Sequence, residues 1–453
     1  MKNENQTVWS KIANSATFKA MVIGILILIM LIPVAMIGEL IEEREINSKT
    51  VAFEVSSKWG NRQAITGPVI GIPFRHSVVD NNMTREIRDI AYFLPEELNI
   101  ETDMQPEIRY RSIYKVVVYQ SKIKASGNFR HPDFEKLNQK ATFIDWENAF
   151  VTIGISDMRG IRSEIAFNWE HAPKETMSGV DDSKLVKSGV TVKMPLTAEV
   201  PDDKTYSFDF TLTLNGSDGL FFVPAGKTTR VAMSSPWNTP SFDGAFLPDQ
   251  RDINSEGFTA TWSVFNYNRN FPQMWTGNDY QLQSSEFGAN LLLPVDHYQK
   301  TTRSAKYAVM FIALTFLVFF LVELLSHKRI HPLQYLLVSI GLVLFYSLLL
   351  ALSEQMHFNL AYLLSALAIV VLITSYSHSV FKKRKQTVMM GIFLTVLYLF
   401  LYSVLQLEDL ALLIGSVGLF IALAVVMYIS RKVDWYRTDH TPEQPDNSVK
   451  AEE

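Results

Sequence analysis

The chain has 453 residues, a net charge of −4 at neutral pH, 48% hydrophobic residues and no cysteine. The absence of thiols excludes disulfides, thiolate metal sites and thiol nucleophiles. With no basic excess and no basic stripe interleaved with aromatics, nucleic acid is not expected as a partner.

The first element is the apolar segment 21–37. It is long enough to cross a hydrocarbon core of ~30 Å as a helix. Residues 38–45, GELIEERE, offer no small-residue cleavage site. The segment therefore reads as a retained signal anchor, helix 21–38, behind an amino-terminal segment 1–20. Pro33 is expected to kink this helix near its outer end without breaking it.

Residues 39–306 form a polar stretch large enough for its own core. Period-two alternation predicts half-buried antiparallel strands. In 122–130, Ile123, Ala125, Gly127 and Phe129 alternate with polar residues; in 207–214, Phe208, Phe210, Leu212 and Leu214 do so. In 258–264 the apolar set is Phe258, Ala260, Trp262 and Val264. Further strands are expected over 68–74, 110–119 and 151–156. Turn chemistry at Asn215-Gly216-Ser217-Asp218-Gly219 and Pro224-Ala225-Gly226 closes two of them. Residues 131–140 suggest a short helix, with Pro132 near its first turn. Pro240 and Pro248 exclude a central strand over 237–248, since proline donates no ladder hydrogen bond. An ordered loop held down by Phe242 and Phe246 is expected there. The domain reads as a β-rich sandwich or a pair of packed sheets.

Five apolar segments follow within 307–429: 307–325, 333–352, 358–376, 388–405 and 410–429. Each has the length of a membrane-spanning helix. The loop charges set the expected orientation. One side holds twelve lysines and arginines: Lys2, Lys11, Lys19, Lys328, Arg329, Lys382, Lys383, Arg384, Lys385, Arg431, Lys432 and Arg437. The other holds five: Arg44, Lys49, Lys300, Arg303 and Lys306, and its short loops carry Glu354 and the Glu408/Asp409 pair. The richer side is assigned to the cytoplasm, with both termini inside and the large domain outside. Lys300, Arg303 and Lys306 run against the trend locally and suit either lipid headgroups or a solvated helix start. Trp435 and Tyr436 fit an interfacial anchor. The acidic tail 430–453 lacks the apolar content of a folded segment.

Chemistry is sparse. Gly226-Lys227-Thr228 resembles the end of a phosphate loop, but the required partner glycine would sit at Phe221, so a hairpin end is expected. No G-x-S-x-G, H-E-x-x-H or G-x-G-x-x-G occurs. Ser304 and Lys306 form a superficial serine–lysine pair at a membrane-helix start, where a lysine is ordinary. His327 and His331 have helical metal-ligand spacing, but Pro332 interrupts it and a plain basic loop is expected. Asp157 and Arg159 could form a site, and a strand-end turn held by side-chain hydrogen bonds explains them as well. Within the spans only Glu323 is ionisable. A charge at that depth is a functional candidate, and snorkelling or pairing with Lys328 or Arg329 is the plainer expectation. Gly415, Ser416 and Gly418 suit helix packing. No catalytic, cofactor-binding or metal-ligating residue is assigned.

Several stretches resemble the CreD family of bacterial inner-membrane proteins. One is Ile155-Ser156-Asp157-Met158-Arg159-Gly160-Ile161. Another runs from Ser235-Pro236-Trp237-Asn238-Thr239-Pro240 through Phe242-Asp243-Gly244-Ala245-Phe246-Leu247-Pro248, followed by Gly257-Phe258-Thr259-Ala260-Thr261-Trp262. A third comprises Arg303-Ser304-Ala305-Lys306-Tyr307, Leu314-Thr315-Phe316, His331-Pro332-Leu333-Gln334-Tyr335 and Leu352-Ser353-Glu354. The resemblance covers the first span to the sixth, in the family's order. It implies a role in envelope integrity tied to the Cre two-component stress response and to β-lactam or colicin tolerance, without established catalytic residues.

The expected protein is thus a polytopic α-helical membrane protein of six transmembrane helices. Its large β-rich periplasmic domain, 39–306, is inserted between helices 1 and 2. Its expected partners are the lipid bilayer and an unidentified periplasmic or membrane component. Two functions compete: a non-enzymatic envelope protein that binds a partner, and a membrane enzyme or transporter for a lipid or cell-wall intermediate.

Overall fold

The computed structural model describes residues 16–80, 83–137, 140–182, 185–201, 203–277, 280–292, 297–326, 330–407 and 410–431. The chain divides into two compact units. One is Ser48–Val295, and the other combines the amino-terminal residues through Asn47 with the chain from Asp296 onward.

Helix α1, Ala16–Trp59, contains Pro33 and runs well past the apolar segment. The helix thus extends over residues 39–59, which the sequence groups with the polar domain, and the first expected strand, 68–74, lies within the first strand that follows it, Gln63–Asp80. No glycine or proline separates Gly38 from Gly60, and the glutamates between them are good helix formers. Gly60 stops the helix: its φ is 143° and its N–H donates to the Ser56 carbonyl at 2.8 Å. A Cβ there would lie 2.6 Å from the Asn215 carbonyl oxygen.

The strands in chain order are β1 (Gln63–Asp80), β2 (Met83–Phe93), β3 (Glu97–Arg111), β4 (Tyr114–Arg130), β5 (Ala141–Ile144) and β6 (Phe150–Ile155). Next come β7 (Ala166–Trp169), β8 (Ala172–Lys174), β9 (Met177–Ser178), β10 (Gly189–Lys193), β11 (Thr205–Ser217) and β12 (Gly219–Phe222). The last are β13 (Thr228–Ser235), β14 (Pro240–Gly244), β15 (Gln250–Asn254), β16 (Gly257–Phe265), β17 (Met274–Thr276) and β18 (Phe287–Leu291). One sheet has the order β14-β18-β12-β1-β6-β10-β9, with β2, β5 and β17 attached; the other has the order β15-β16-β13-β3-β4-β11-β7-β8. Their buried faces share one core, in which Ile72, Val151, Phe222 and Phe287 of the first sheet meet Leu98, Ile123, Leu212 and Trp262 of the second. The alternating runs read from the sequence supply the second sheet's share: β4, β11 and β16 each bury every other residue along much of their length.

Several local expectations change. The run 110–119 is two strands, because Ser112, with φ 56°, turns the chain and Arg111 pairs with Tyr114. No Gly or Asn-Gly marks that hairpin. β11 continues to Ser217, which narrows the turn expected over 215–219 to Asp218, with φ 63°. Among the described residues of 131–140 only Phe134–Lys136 is helical, as a 3₁₀ turn capped by the Asp133 carboxylate. Two strand pairs, β1 with β12 and β3 with β13, are parallel. In the segment 237–248, five residues form β14, the end strand paired to β18. Proline is tolerated there because an edge leaves its missing N–H without consequence.

The remaining helices are α2 (His297–Lys306), α3 (Ala308–Ser326), α4 (Pro332–Ser353), α5 (Phe358–Phe381), α6 (Arg384–Gln406) and α7 (Ala411–Ser430). By length and composition four described helices can cross a membrane: α1, α4, α5 and α6. The pair α2 and α3, bent by 42°, makes a fifth if taken as one span, and α7 has a shorter apolar stretch, Leu413–Tyr428. α5 packs on both α4 and α6. Aromatic rings fill the bundle: Phe345 lies 4.7 Å from Tyr398 and 5.5 Å from Tyr362, and Phe311 lies 5.3 Å from Tyr398.

Phe246 and Phe242 anchor the Pro-rich segment to the sandwich. The Phe246 ring meets Phe287 edge-on at 5.8 Å, and Phe242 meets Trp262 at 5.8 Å. Phe287 is fully buried and Phe246 half-buried. Phe287→Ala is expected to cost about 3–5 kcal/mol, and Phe246→Ala about 1–2 kcal/mol. Chemical unfolding of the purified chain, followed by tryptophan fluorescence, measures both; equal losses would contradict this packing.

Candidate functional site

In the β-rich unit the sequence singled out Asp157 and Arg159. The structure brings them together in a tie between the end of α1 and the sheet. The Asp157 carboxylate accepts from Arg159 Nε at 2.9 Å, its outer guanidinium nitrogen at 2.8 Å and the Asn61 backbone N–H at 3.0 Å. Arg159 also donates to the Ser57 carbonyl at 2.6 Å. Beneath them the Gln63 amide donates to the Asp157 and Asn215 carbonyls, both at 3.0 Å. Gly160 is required here, since a Cβ would lie 2.2 Å from the Asn215 carbonyl oxygen. The Arg159 guanidinium, ahead of the backbone donors of Asn61 and Arg159, holds the Asp157 carboxyl below the usual carboxylate range. Every acceptor direction of this carboxylate points at a donor of the fold. The cluster positions a chain junction and offers no free group to a substrate.

The other sequence candidates are dispersed. Lys227 pairs with Glu96 at 3.0 Å and the Gly226 N–H donates to Thr229 Oγ1 at 2.9 Å, which makes this segment a hairpin end. Ser304 is buried and Lys306 exposed on α2, so the two do not converge. Lys300 donates to Gln406 at 3.2 Å. His331 caps α4, its Nδ1 accepting from the Leu333 N–H at 3.2 Å, while His327 lies outside the described residues. Among the described residues no cluster of three or more His, Asp or Glu could hold a metal ion. No sequence motif marks Arg269, whose side chain is buried against Phe271 and donates to Gln273; burial lowers its pKa to about 10.

Glu323 is the polar centre of the helical unit. Its carboxylate is 3% exposed, and Lys19 of α1, 25% exposed, donates to it at 2.6 Å. The Ile330 backbone N–H donates to the same oxygen at 3.3 Å, and the Tyr335 hydroxyl to the other at 2.9 Å. The Tyr335 ring is held by Phe316 and Phe319, at 5.4 and 6.0 Å. A cavity of about 280 Å³ adjoins the group, lined by Phe18, Leu26, His331 and Pro332 among others. Lys19 partners Glu323 in the structure; Lys328 and Arg329, the partners expected from the sequence, lie outside the described residues. A signal for it exists: Lys19 and Glu323 each lie two residues from the end of their apolar segment on the lysine-rich side. One carboxylate therefore joins the start of α1, the segment before α4 and α4 itself.

Two predictions follow from these geometries. A carboxyl with a depressed folded-state pKa contributes stability above its unfolded pKa, near 4, and loses it as pH falls through the depressed value. Asp157→Asn is expected to cost about 2 kcal/mol at neutral pH. Its gap to wild type should close on acidification below pH ~4; a pH-independent gap in urea titrations would contradict the assignment. In the helical unit, Glu323→Ala leaves the partly buried Lys19 ammonium, the Tyr335 hydroxyl and the Ile330 N–H without their shared acceptor and is expected to cost about 2–3 kcal/mol, against about 1 kcal/mol for Tyr335→Phe. Lys19→Met combined with Glu323→Leu should be less damaging than Glu323→Leu alone, read as thermal stability in detergent.

The family model for the Inner membrane protein CreD matches residues 15–436. The Inner membrane protein CreD of Escherichia coli (strain K12) is 32% identical over 418 residues, covering 90% of this chain and 91% of that one. Among solved structures, an M1 zinc metallopeptidase mutant from Deinococcus radiodurans aligns over 38% of each chain, with 9% identity and a TM-score of 0.21. A putative nutrient binding protein from Legionella pneumophila aligns over 56% of this chain and 80% of its own, with 8% identity and a TM-score of 0.22. Likenesses this slight bear on neither fold nor activity. The match in sequence, by contrast, runs from α1 through both units to α7, and on that ground the chain belongs to the CreD family of inner membrane proteins.

Proposed function

We propose that this chain is a non-enzymatic protein that supports cell-envelope integrity under stress, with the β-rich unit in the periplasm as its binding part. In this reading six helical segments cross the membrane: α1, the bent α2–α3 pair, α4, α5, α6 and α7. Both termini are cytoplasmic. The lysine and arginine excess at the cytoplasmic ends supports that orientation. Among the polar residues the sequence singled out in the β-rich unit, Asp157, Arg159 and Lys227 all serve the fold.

The observation that carries the binding reading is the exposed edge of the second sheet. All five residues of its end strand, β15, are exposed. Alongside lie large exposed side chains: Tyr267 at 91%, Leu247 at 69% and Phe265 at 50%. The Asp249 carboxylate accepts from the Ser263 N–H at 2.7 Å, which places Leu247 near the end of β16 that carries Phe265. An open strand edge beside aromatic and aliphatic anchors suits a protein partner that adds a strand or buries these rings.

Deletion should leave growth in rich medium nearly normal and lower survival under detergent or a cell-wall antibiotic. Complementation by Leu247→Glu with Tyr267→Glu should fail while the protein accumulates normally, and Asp157→Ala should complement in part. A stable single carboxylate variant as defective as the deletion would favour the alternative, a membrane enzyme or transporter acting on a lipid or wall intermediate. Orientation is tested by cysteine scanning, because the chain has no cysteine of its own. Ser284 and Ser379 are both exposed. Ser284→Cys should react with a membrane-impermeant thiol reagent in spheroplasts, and Ser379→Cys should not; the reverse pattern would overturn the orientation.

A further inference from the structure

In the β-rich unit, Arg269 is a buried cation to which the described residues give no anion. It is 7% exposed, and burial by itself accounts for its lowered pKa, so the group is charged at neutral pH. No described carboxylate pairs with it, and Glu96, next to Pro95, is held by Lys227 at 3.0 Å. Only part of its donor set is used. Nη2 donates to Gln273 Oε1 at 2.5 Å and Nη1 to the Pro272 carbonyl at 3.4 Å. Nε is enclosed and has no partner. A charge kept from water without a counter-ion is among the costliest features of a fold. The Phe271 ring and the Gln273 amide offset part of that cost, but neither carries a full negative charge.

The group is nonetheless held in place. Gln273 is locked by its side-chain amide, which donates to the Leu94 and Pro95 carbonyls at 2.9 and 2.7 Å, and by its own carbonyl, which accepts from the Leu94 N–H at 3.0 Å. The guanidinium carbon lies 4.4 Å from the centre of the Phe271 ring, and that ring packs on Trp275. A planar fork of donors is thus fixed before any ligand arrives. Its place is just beneath an exposed loop: residues 266–273 carry the chain from β16 in the second sheet to β17 in the first. Tyr267, almost fully exposed, lies two residues before Arg269, and Asn268, Asn270 and Pro272 are exposed around it. A protein that buries Tyr267 covers this loop and brings its own groups to the guanidinium. One cation in a confined place matches a monoanion, whereas a phosphate calls for further cations and Lys227 is already paired. A carboxylate also fits the fork, taking two parallel N–H bonds.

We propose that Arg269 receives an Asp or Glu side chain of the protein partner that docks beside β15 and Tyr267, and that this pair sets the specificity of the surface. The assignment rests on the binding role proposed above for that surface and names the chemistry of what binds there. With so little of the group accessible, the carboxylate arrives on a protruding side chain, and the guanidinium leaves its long contact with the Pro272 carbonyl to meet it. Arginine and tyrosine are also the residue types that most often dominate protein interfaces.

The test places the photo-crosslinking residue p-benzoylphenylalanine at the exposed position of Phe265 in the full chain, in living cells. A discrete protein adduct should form, and the captured segment, mapped by mass spectrometry, should contain Asp or Glu. Arg269→Met should lower the adduct by about tenfold or more, with protein level and the thermal unfolding midpoint in detergent unchanged. Arg269→Lys keeps the charge without the fork and should lower it in part. Exchanging the partner's acidic residue for its amide should weaken the adduct with wild type and have no further effect on Arg269→Met, the signature of a direct pair. Should Arg269→Met fail to accumulate, Arg269→Lys and the partner exchange decide. The proposal is overturned by the absence of a protein adduct, by an undiminished adduct in Arg269→Met, by an adduct indifferent to every carboxylate of the captured segment, or by an unfolding midpoint of Arg269→Met lowered as far as that of Phe287→Ala, which would assign the arginine to the fold. Survival of the deletion strain under envelope stress is a separate measurement. Normal survival with an Arg269-dependent adduct would remove the integrity role and keep the site; impaired survival with an adduct indifferent to Arg269 would do the reverse.

Discussion

A buried strand must find backbone partners along both edges, and β1 faces this demand over eighteen residues. It meets it by changing partners midway. Residues 63–65 pair in parallel with β12 and residues 65–71 with β6. Beyond them, residues 70–80 pair with β2 and residues 74–76 with β5. The exchange occurs around Gly67 and Pro68, where the register to β6 shifts between Thr66 and Val69. Proline lacks a donor and so belongs at such an irregularity. Gly67 has a φ of 95°, which a side chain would resist. Because β1 is central, the strands on either side inherit their positions from it, and so does the tie beneath α1. Gln63, its first residue, carries the amide that joins Asp157 to Asn215.

The helical unit answers to a different constraint. Hydrocarbon cannot solvate a carboxylate, and Glu323 lies within an apolar helix. Three donors from three parts of the chain converge on it: an ammonium, a backbone N–H and a phenol. Such a group stabilises little relative to a well-packed apolar replacement, yet removing one partner is costly. The consequence is specificity of arrangement. α1 offers most of its apolar side chains outward, with Met21, Leu28, Ile32 and Met36 all exposed, and the Lys19–Glu323 contact ties its start to the bundle.

The polar residues discussed above in both units are largely engaged in holding chain segments together, and in the proposed binding role contact with a partner falls to the exposed strand β15 and the large exposed side chains beside it.

Local pattern was enough to read much of this molecule from its sequence. Apolar length marked each of the helices α3 to α7, and period-two alternation marked β4, β11 and β16, because burial of one face leaves a trace in neighbouring residues. The CreD family was equally legible, since its motifs are contiguous. What the sequence could not carry are relations between distant residues. Ser112 turns a hairpin without a glycine because pairing on both sides holds it there. β14 is a strand because β18 offers it an edge. The parallel pairings of β1 with β12 and β3 with β13 join segments more than a hundred residues apart. Lys19 meets Glu323 across 304 residues of chain, and only the packing of the helices brings the two together. A pattern of types along a chain records which faces are buried; which buried groups face one another is decided by the geometry of packing, and that exists only once the chain has folded.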